Sequence, residues 1–281
     1  MNKQVSIALA SIFLLVVSCS TFQNVIHIST PTASIIPAVA NSPTNTFTPA
    51  SPTPTSEPPV NRTSAGYIEN YEIWRGEHHV TGDVWVRSGA TLIIEPGTIV
   101  TIAANSDEHN LLSDELDLRI GINTGERIDG VHNGEPFRDE QHHISLWIEG
   151  TLYAVGTQER PITITSDSPG PTRYDWNRLQ IWNGQISYTT IEYYRIIHTM
   201  TANVEISNNT LRYIGECGIC AYSNARIIGN RIYDAGHELI DVNGDPVIRD
   251  NIIGPNPGHA CIHVVQGNPI IENNQIHESC P

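Results

Sequence analysis

The chain of 281 residues is almost without lysine: Lys3 is the only one, and the other fourteen of its 15 basic residues are arginines. Past Lys3 no side-chain amine remains, which excludes Schiff-base chemistry, a phosphate-loop lysine and a lysine general base. Positive charge of any kind is short, since 15 basic residues stand against 30 acidic ones, a net charge of −15. A nucleic-acid binder needs a basic stripe to neutralise phosphates, so no nucleic-acid partner is expected. Charged residues make up only 16% of the chain, while glycine (21) and proline (18) are plentiful. Few charges and many turn formers favour strands over helices. The sequence also contains no GxSxG, no HExxH and no nucleotide fingerprint.

No apolar run is long enough to stay in a bilayer as a helix. The longest, Ile7 to Val17, follows the positive Lys3 and reads as the core of a targeting signal over residues 1–18. It ends in Val16-Val17-Ser18-Cys19, which resembles the lipobox of bacterial lipoproteins. That resemblance implies acylation of the Cys19 thiol and cleavage before it, so that membrane attachment is through a lipid anchor alone. Ser20 follows rather than aspartate, which points to the outer membrane or outer cell surface. Residues 19–65 then read as a tether. From Ser29 to Val60, twelve of thirty-two residues are Ser or Thr and eight are Pro, with Glu57 the only charge. Such a segment buries too little apolar area to offset its conformational entropy, and proline biases it towards an extended spacer. Four further cysteines, Cys217, Cys220, Cys261 and Cys280, allow three disulfide pairings outside the cytoplasm.

Internal periodicity is the strongest signal. Asn203-Val-Glu-Ile-Ser-Asn-Asn209-Thr-Leu211 aligns with Asn224-Ala-Arg-Ile-Ile-Gly-Asn230-Arg-Ile232, then with copies centred on Asn251 and Asn274. The asparagines recur at intervals of 21, 21 and 23, and Thr189 holds the same slot in a weaker copy 20 residues before Asn209. Within each copy aliphatic and polar residues alternate, a short turn intervenes, and another aliphatic follows. Alternation means strand and the asparagine-centred breaks mean turns. Short strands repeating every 21 residues or so describe one rung of a parallel β-helix, about 4.8 Å from the next. Asn209, Asn230, Asn251 and Asn274 are then expected to form a structural amide ladder.

The stretch Asp83-Val-Trp-Val-Arg-Ser-Gly-Ala-Thr-Leu-Ile-Ile-Glu-Pro-Gly-Thr-Ile-Val-Thr-Ile102 resembles the opening rung of right-handed parallel β-helix proteins of the pectate-lyase-like superfamily. Leu146 to Gly156, Arg160 to Ser166 and Asp175 to Ile191 continue that resemblance. It implies an all-β, right-handed parallel β-helix (a solenoid) over residues 66–281, with about seven to nine rungs, interrupted by an insertion at 105–143. The last partial rung after Asn274 has no obvious cap, so its edge is expected to be covered by a partner or to mark a truncation. The superfamily holds lyases, hydrolases, isomerases and non-catalytic binders, so the likeness leaves chemistry open. Its lyases use aspartate-bound Ca²⁺ with an arginine or lysine base, for which this chain offers only arginines such as Arg178, Arg195, Arg212, Arg226 or Arg249. Its hydrolases use paired acids, often adjacent aspartates, and no Asp-Asp pair occurs here. Catalytic residues are therefore unknown at this point.

The insertion carries ten acidic residues against three arginines, nearly half the net charge. Asp107, Glu108, Asp114, Glu115 and Asp117 offer carboxylates for Ca²⁺, although their spacing matches no calcium loop and a solvated acidic segment fits equally. Two columns suggest binding. Aligned on Gly215, Gly236 and Gly258, the rungs place Glu216, His237 and His259 in one column and Cys220, Asp241 and His263 in another. If Ile219, Ile240 and Ile262 point inward, both columns face outward together, a donor set for Zn²⁺ or Cu²⁺ or else an ordinary polar face. Trp85, Trp147 and Trp182 each adjoin core-phase aliphatics and so should leave the core. They are expected either to form an open row for the apolar faces of sugar rings or to lie beneath the insertion. The expectation for function is non-catalytic recognition of an extracellular polysaccharide at the cell envelope. The alternatives are a lyase or glycoside hydrolase with its site under the insertion, and a metal-binding or purely structural envelope protein.

Overall fold

The computed structural model describes residues 63–109, 111, 131–132, 135–136, 143–256 and 259–280, all within one compact unit, Ser56–Pro281. Thr63 bonds to Glu72 of the coil, while Cys19, residues 19–62 of the expected tether and most of the insertion lie outside the described residues. Those residues form strands and no helix. Among the described residues every strand pairing is parallel except a short antiparallel one in the insertion, β7 (Val131–His132) with β8 (Glu135–Pro136).

The chain coils through three strand faces. Rung 1 comprises β1 (Gly66–Ile68), β2 (Tyr71–Trp74) and β3 (Glu77–Val80), and rung 2 comprises β4 (Val84–Val86), β5 (Thr91–Ile94) and β6 (Ile99–Ile102). In rungs 3 and 4 one long strand turns the corner between the first and second faces: β9 (Ser145–Val155), followed by β10 (Ile162–Ser166), and β11 (Trp176–Ser187), followed by β12 (Thr189–Glu192). Rung 5 is β13 (Tyr194–Thr199), β14 (Val204–Ser207) and β15 (Thr210–Arg212); rung 6 is β16 (Ile219–Ala221), β17 (Arg226–Ile228) and β18 (Arg231–Ile232). Rung 7 is β19 (Ile240–Asn243), β20 (Val247–Arg249) and β21 (Ile252–Ile253), and rung 8 is β22 (Ile262–Gln266), β23 (Ile270–Glu272) and β24 (Gln275–Ile276). The third face is an eight-stranded sheet running from β3 to β24, so the coil has eight rungs. The all-β parallel β-helix expected from the repeat is the architecture found.

Period-two alternation sends one set of aliphatics into the coil. Val84, Leu146 and Leu179 stack by register with Ile197, and Ile219, Ile240 and Ile262 carry the column on. All but Ile262 are buried in one continuous core, and each such side chain contributes on the order of 2 kcal/mol. Rung 8 has no rung stacked beyond it among the described residues, and its Val264, Ile270, Ile271 and Ile276 are exposed. Where β11 turns the corner, Gly184 has φ +139°, and a Cβ there would meet the Leu152 carbonyl oxygen at 2.0 Å. Only glycine fits that bend.

A polar column runs inside the corner between the second and third faces. The Asn209 backbone N–H and Nδ2 both donate to Asn230 Oδ1, at 2.9 and 3.0 Å. Asn230 donates likewise to Asn251 Oδ1 at 2.8 and 3.0 Å, and Asn251 to Asn274 Oδ1 at 3.0 and 2.9 Å. Thr189 N–H donates to Asn209 Oδ1 at 2.9 Å and so opens the ladder. Each asparagine also gives its second Nδ2 hydrogen to a backbone carbonyl, that of Ile186, Ile206, Ile227 or Ile248. The residue before each member takes a left-handed conformation: Tyr188 (φ 47°), Asn208 (57°), Gly229 (67°), Asp250 (59°) and Asn273 (55°). Asn, Asp and Gly tolerate that region best, which explains four of the five; Tyr188 is the costly one.

Removing the Asn230 side chain strips two donors on Asn209 of their acceptor and leaves the Ile206 carbonyl and Asn251 Oδ1 short of one donor. Since a buried unsatisfied group costs about 1–3 kcal/mol, Asn230→Ala is expected to destabilise the coil by about 3 kcal/mol. Asn274→Ala, in the half-exposed last rung, should cost clearly less. Urea unfolding of the two variants beside the parent chain checks the order.

Candidate functional site

The outward side of the first face carries one row that crosses all eight rungs. Strand register stacks Tyr67 on Trp85, Trp85 on Trp147, and Trp147 on Gln180. It continues through His198, Cys220, Asp241 and His263. Two sets that the sequence presents separately, the tryptophans and the Cys220/Asp241/His263 column, are therefore a single line. At about 4.8 Å per rung it extends roughly 34 Å. The insertion hides this continuity in the sequence, because it parts rungs 2 and 3 and breaks the count.

The aromatic end of the row is packed rather than open. Trp85 and Trp147 stand off the coil interior in a cluster of their own, yet only 8% and 2% of their surfaces are exposed. Ring centroids lie 5.8 Å apart for Tyr67 and Trp85, 6.1 Å for Trp85 and Trp147, and 5.0 Å for Trp147 and Trp182. Leu111, from the insertion, packs on the cluster. Trp85 and Trp147 are thus enclosed rather than in an open row, and Leu111 is the described insertion residue that packs on them. Alternation tells which side chains leave the core but not what then covers them. Trp182 differs: it sits at a β-bulge, where register slips between Ile181 and Asn183, and is half-buried at the cluster's edge. Tyr67, at the other flank, is 40% exposed and has the Arg87 guanidinium 4.1 Å from its ring centre.

Beside the aromatic end runs a buried polar chain that the sequence did not reveal. Ser145 N–H donates to Asp83 Oδ1 at 2.6 Å, and Asn177 Nδ2 donates to Ser145 Oγ at 3.0 Å. Arg195 Nη1 then donates to Asn177 Oδ1 at 3.0 Å, and Arg195 Nε lies 3.1 Å from Glu216 Oε2. A guanidinium so deeply placed needs this pairing, because an isolated buried charge is costly. Next to it His198 Nδ1 lies 3.3 Å from Gln180 Oε1, and the His198 ring meets Tyr222 edge-on at 5.1 Å. Of the five candidate arginines, Arg178 and Arg195 are buried on the first face. Arg212 pairs with Glu192 on the third face, Arg226 with Glu205 and Arg249 with Asp250 on the second. They do not converge.

The six candidate metal ligands divide. Cys220 is disulfide-bonded to Cys217, and Cys261 to Cys280, so the Cys220 thiolate is withdrawn from ligation. Glu216 is engaged by Arg195. Asp241 Oδ1 and His263 Nδ1 form a pair at 2.9 Å. The His237 and His259 rings lie 4.7 Å apart between centroids, tilted by 32°, with His237 Nδ1 in direct contact with Glu238 Oε2. Ligand atoms of His237, Glu238 and His259 lie within 4.8 Å of one another. The alternation missed Glu238 because residues 236–239 turn a corner, where period two does not hold. Asn256, 0% exposed, fixes this corner: its Nδ2 donates to the His237 carbonyl at 2.7 Å and its Oδ1 accepts from Ala235 N–H at 3.1 Å. In the insertion, Asp107 Oδ1 accepts from the backbone N–H groups of Asp83 and His109, at 3.0 and 2.9 Å, so it pins the chain. Glu108 is exposed. Asp114, Glu115 and Asp117 lie outside the described residues.

A family model described as "Right handed beta helix region" matches residues 185–280, from the second half of β11 through rung 8. It covers about a third of the chain and agrees with the parallel strand topology of the coil. No curated protein and no solved structure matches the chain.

Because Trp147 is almost wholly enclosed, Trp147→Ala should behave as a core truncation and cost about 3–5 kcal/mol. Trp182→Ala, at the cluster's edge, should cost well under half of that. Thermal or urea unfolding of both variants checks it, and equal small losses would mean that Trp147 is not enclosed.

Proposed function

We propose that the protein is a lipid-anchored envelope protein that holds a neutral extracellular polysaccharide along its first face without altering it chemically. The observation that carries this reading is the set of partly open side chains along the first face, Tyr67 and Trp182 near one end and Asp241 and His263 at the other, seated on the buried members of the row. Tyr67, Trp182 and Tyr222 offer accessible ring surface, and Asp241 and His263 offer polar groups for hydroxyls. Trp85 and Trp147 are the buried base that holds Tyr67 and Trp182 in place. A net charge of −15 opposes binding of uronate polymers, hence the preference for a neutral glycan. Acylated Cys19 supplies the anchor, and residues 19–65 supply the spacer that lifts the coil off the membrane at the outer membrane or cell surface.

Two measurements test the parts separately. Cys19→Ala is expected to release the chain from the membrane fraction; a variant that stays there would show that lipidation is not the attachment. For the ligand, the full-length chain in detergent is tested by affinity electrophoresis against neutral and acidic soluble polysaccharides, with assays for new reducing and unsaturated ends. Retention by a neutral glycan, weakened about fivefold by each of Trp182→Ala and Tyr222→Ala, is expected, since one ring contact contributes about 1 kcal/mol. New chain ends that depend on Arg178 would instead make it an enzyme acting beneath the insertion.

A further inference from the structure

We propose that the corner entering the first face at rungs 7 and 8 binds a first-row divalent metal ion through His237, Glu238 and His259. The inference is independent of the glycan reading, because these three side chains lie off the aromatic row.

The donor set is the first argument. Two imidazoles and one carboxylate suit Zn²⁺ and its neighbours in the first transition row, and suit Ca²⁺ or Mg²⁺ poorly, since those prefer oxygen alone. Geometry is the second. The three ligand atoms already lie within 4.8 Å of one another. Bonds of about 2.0–2.2 Å to a tetrahedral ion place ligands roughly 3.3–3.5 Å apart, so small side-chain rotations close the site. His237 and Glu238 already touch, and the His237–His259 ring spacing of 4.7 Å is the spacing of consecutive rungs. The fold itself sets it.

Support of the backbone is the third. Buried Asn256 fastens the His237 carbonyl at 2.7 Å and the Ala260 carbonyl at 3.3 Å, one residue to either side of the remaining two ligands. His237 N–H is held by the Glu216 carbonyl at 3.2 Å, and the Cys261–Cys280 disulfide begins two residues after His259. Ligands on a backbone so fixed lose little freedom on binding. Side-chain exposures of 34% for His237 and 13% for Glu238 leave room for a solvent-derived fourth ligand. Beside the Asp241–His263 pair on the same rungs, Cys220 of the neighbouring rung is held in a disulfide and is not available as a thiolate ligand.

The test uses the untagged full-length chain in detergent, stripped with chelator and dialysed against Zn²⁺, with bound metal measured by mass spectrometry. One tightly held Zn²⁺ per chain is expected, with affinity at least tenfold weaker in Glu238→Gln and in His259→Ala and unchanged in His263→Ala. Co²⁺ in place of Zn²⁺ should give the visible absorption bands of four-coordinate cobalt, a readout on the parent chain that does not depend on any variant folding. Absence of stoichiometric Zn²⁺, or affinity untouched by Glu238→Gln and His259→Ala, or loss in His263→Ala instead, would overturn the site.

Discussion

Rung stacking governs everything else in this molecule. Parallel backbone hydrogen bonds fix each rung about 4.8 Å above the last, so a side chain's principal neighbours are its own counterparts one turn before and after. A residue is then acceptable only if it suits that column. Aliphatics stack on aliphatics inside the coil, and the ladder asparagines from Asn209 to Asn274 are joined amide to amide. The same rule operates outside the core. Arg195 stays buried on the first face because the preceding rung supplies Asn177 and the following rung supplies Glu216. Single substitutions therefore act on three rungs at once, which is why a lone polar change in the interior costs more than its own hydrogen bond.

That rule also decides how far the sequence can be read. The asparagine spacing of 21, 21 and 23 was enough to set rungs 5 to 8, because each ladder asparagine drags a strand and a turn with it. The inward isoleucines followed from alternation alone. What alternation does not carry is the identity of the cover. Trp85 and Trp147 leave the core as their flanking aliphatics demand, but Leu111, 26 residues beyond Trp85 in sequence, packs on them. Nor does it work at corners, where Glu238 joins two histidines from outside the expected phase. Pairing of the four cysteines was open to three solutions by count; column position resolves it only once the coil exists, since Cys217 and Cys220 flank one corner and Cys261 and Cys280 another.

Chemistry in this coil gathers where the repeat fails. Trp182 owes its place at the edge of the aromatic cluster to a bulge, and the His237, Glu238 and His259 group owes its convergence to a turn between strands. A regular rung offers columns of side chains separated by a fixed distance and pointing one way. A bulge or a corner lets side chains of different type lean towards a common point. Local departure from the rule is where a site is to be sought in such a fold.

The amide ladder has a direction. Each asparagine gives its N–H groups to the oxygen of the asparagine in the next rung, never the reverse, at Asn209, Asn230 and Asn251 alike. A coil that has been built only as far as rung 5 thus presents the Asn209 donors, unmet, at its advancing tip. The segment that meets them is the next one in the chain, which carries Asn230. An incomplete coil would thus end on donors that only the following rung is shaped to answer, so each rung carries half of the bonding that holds its successor.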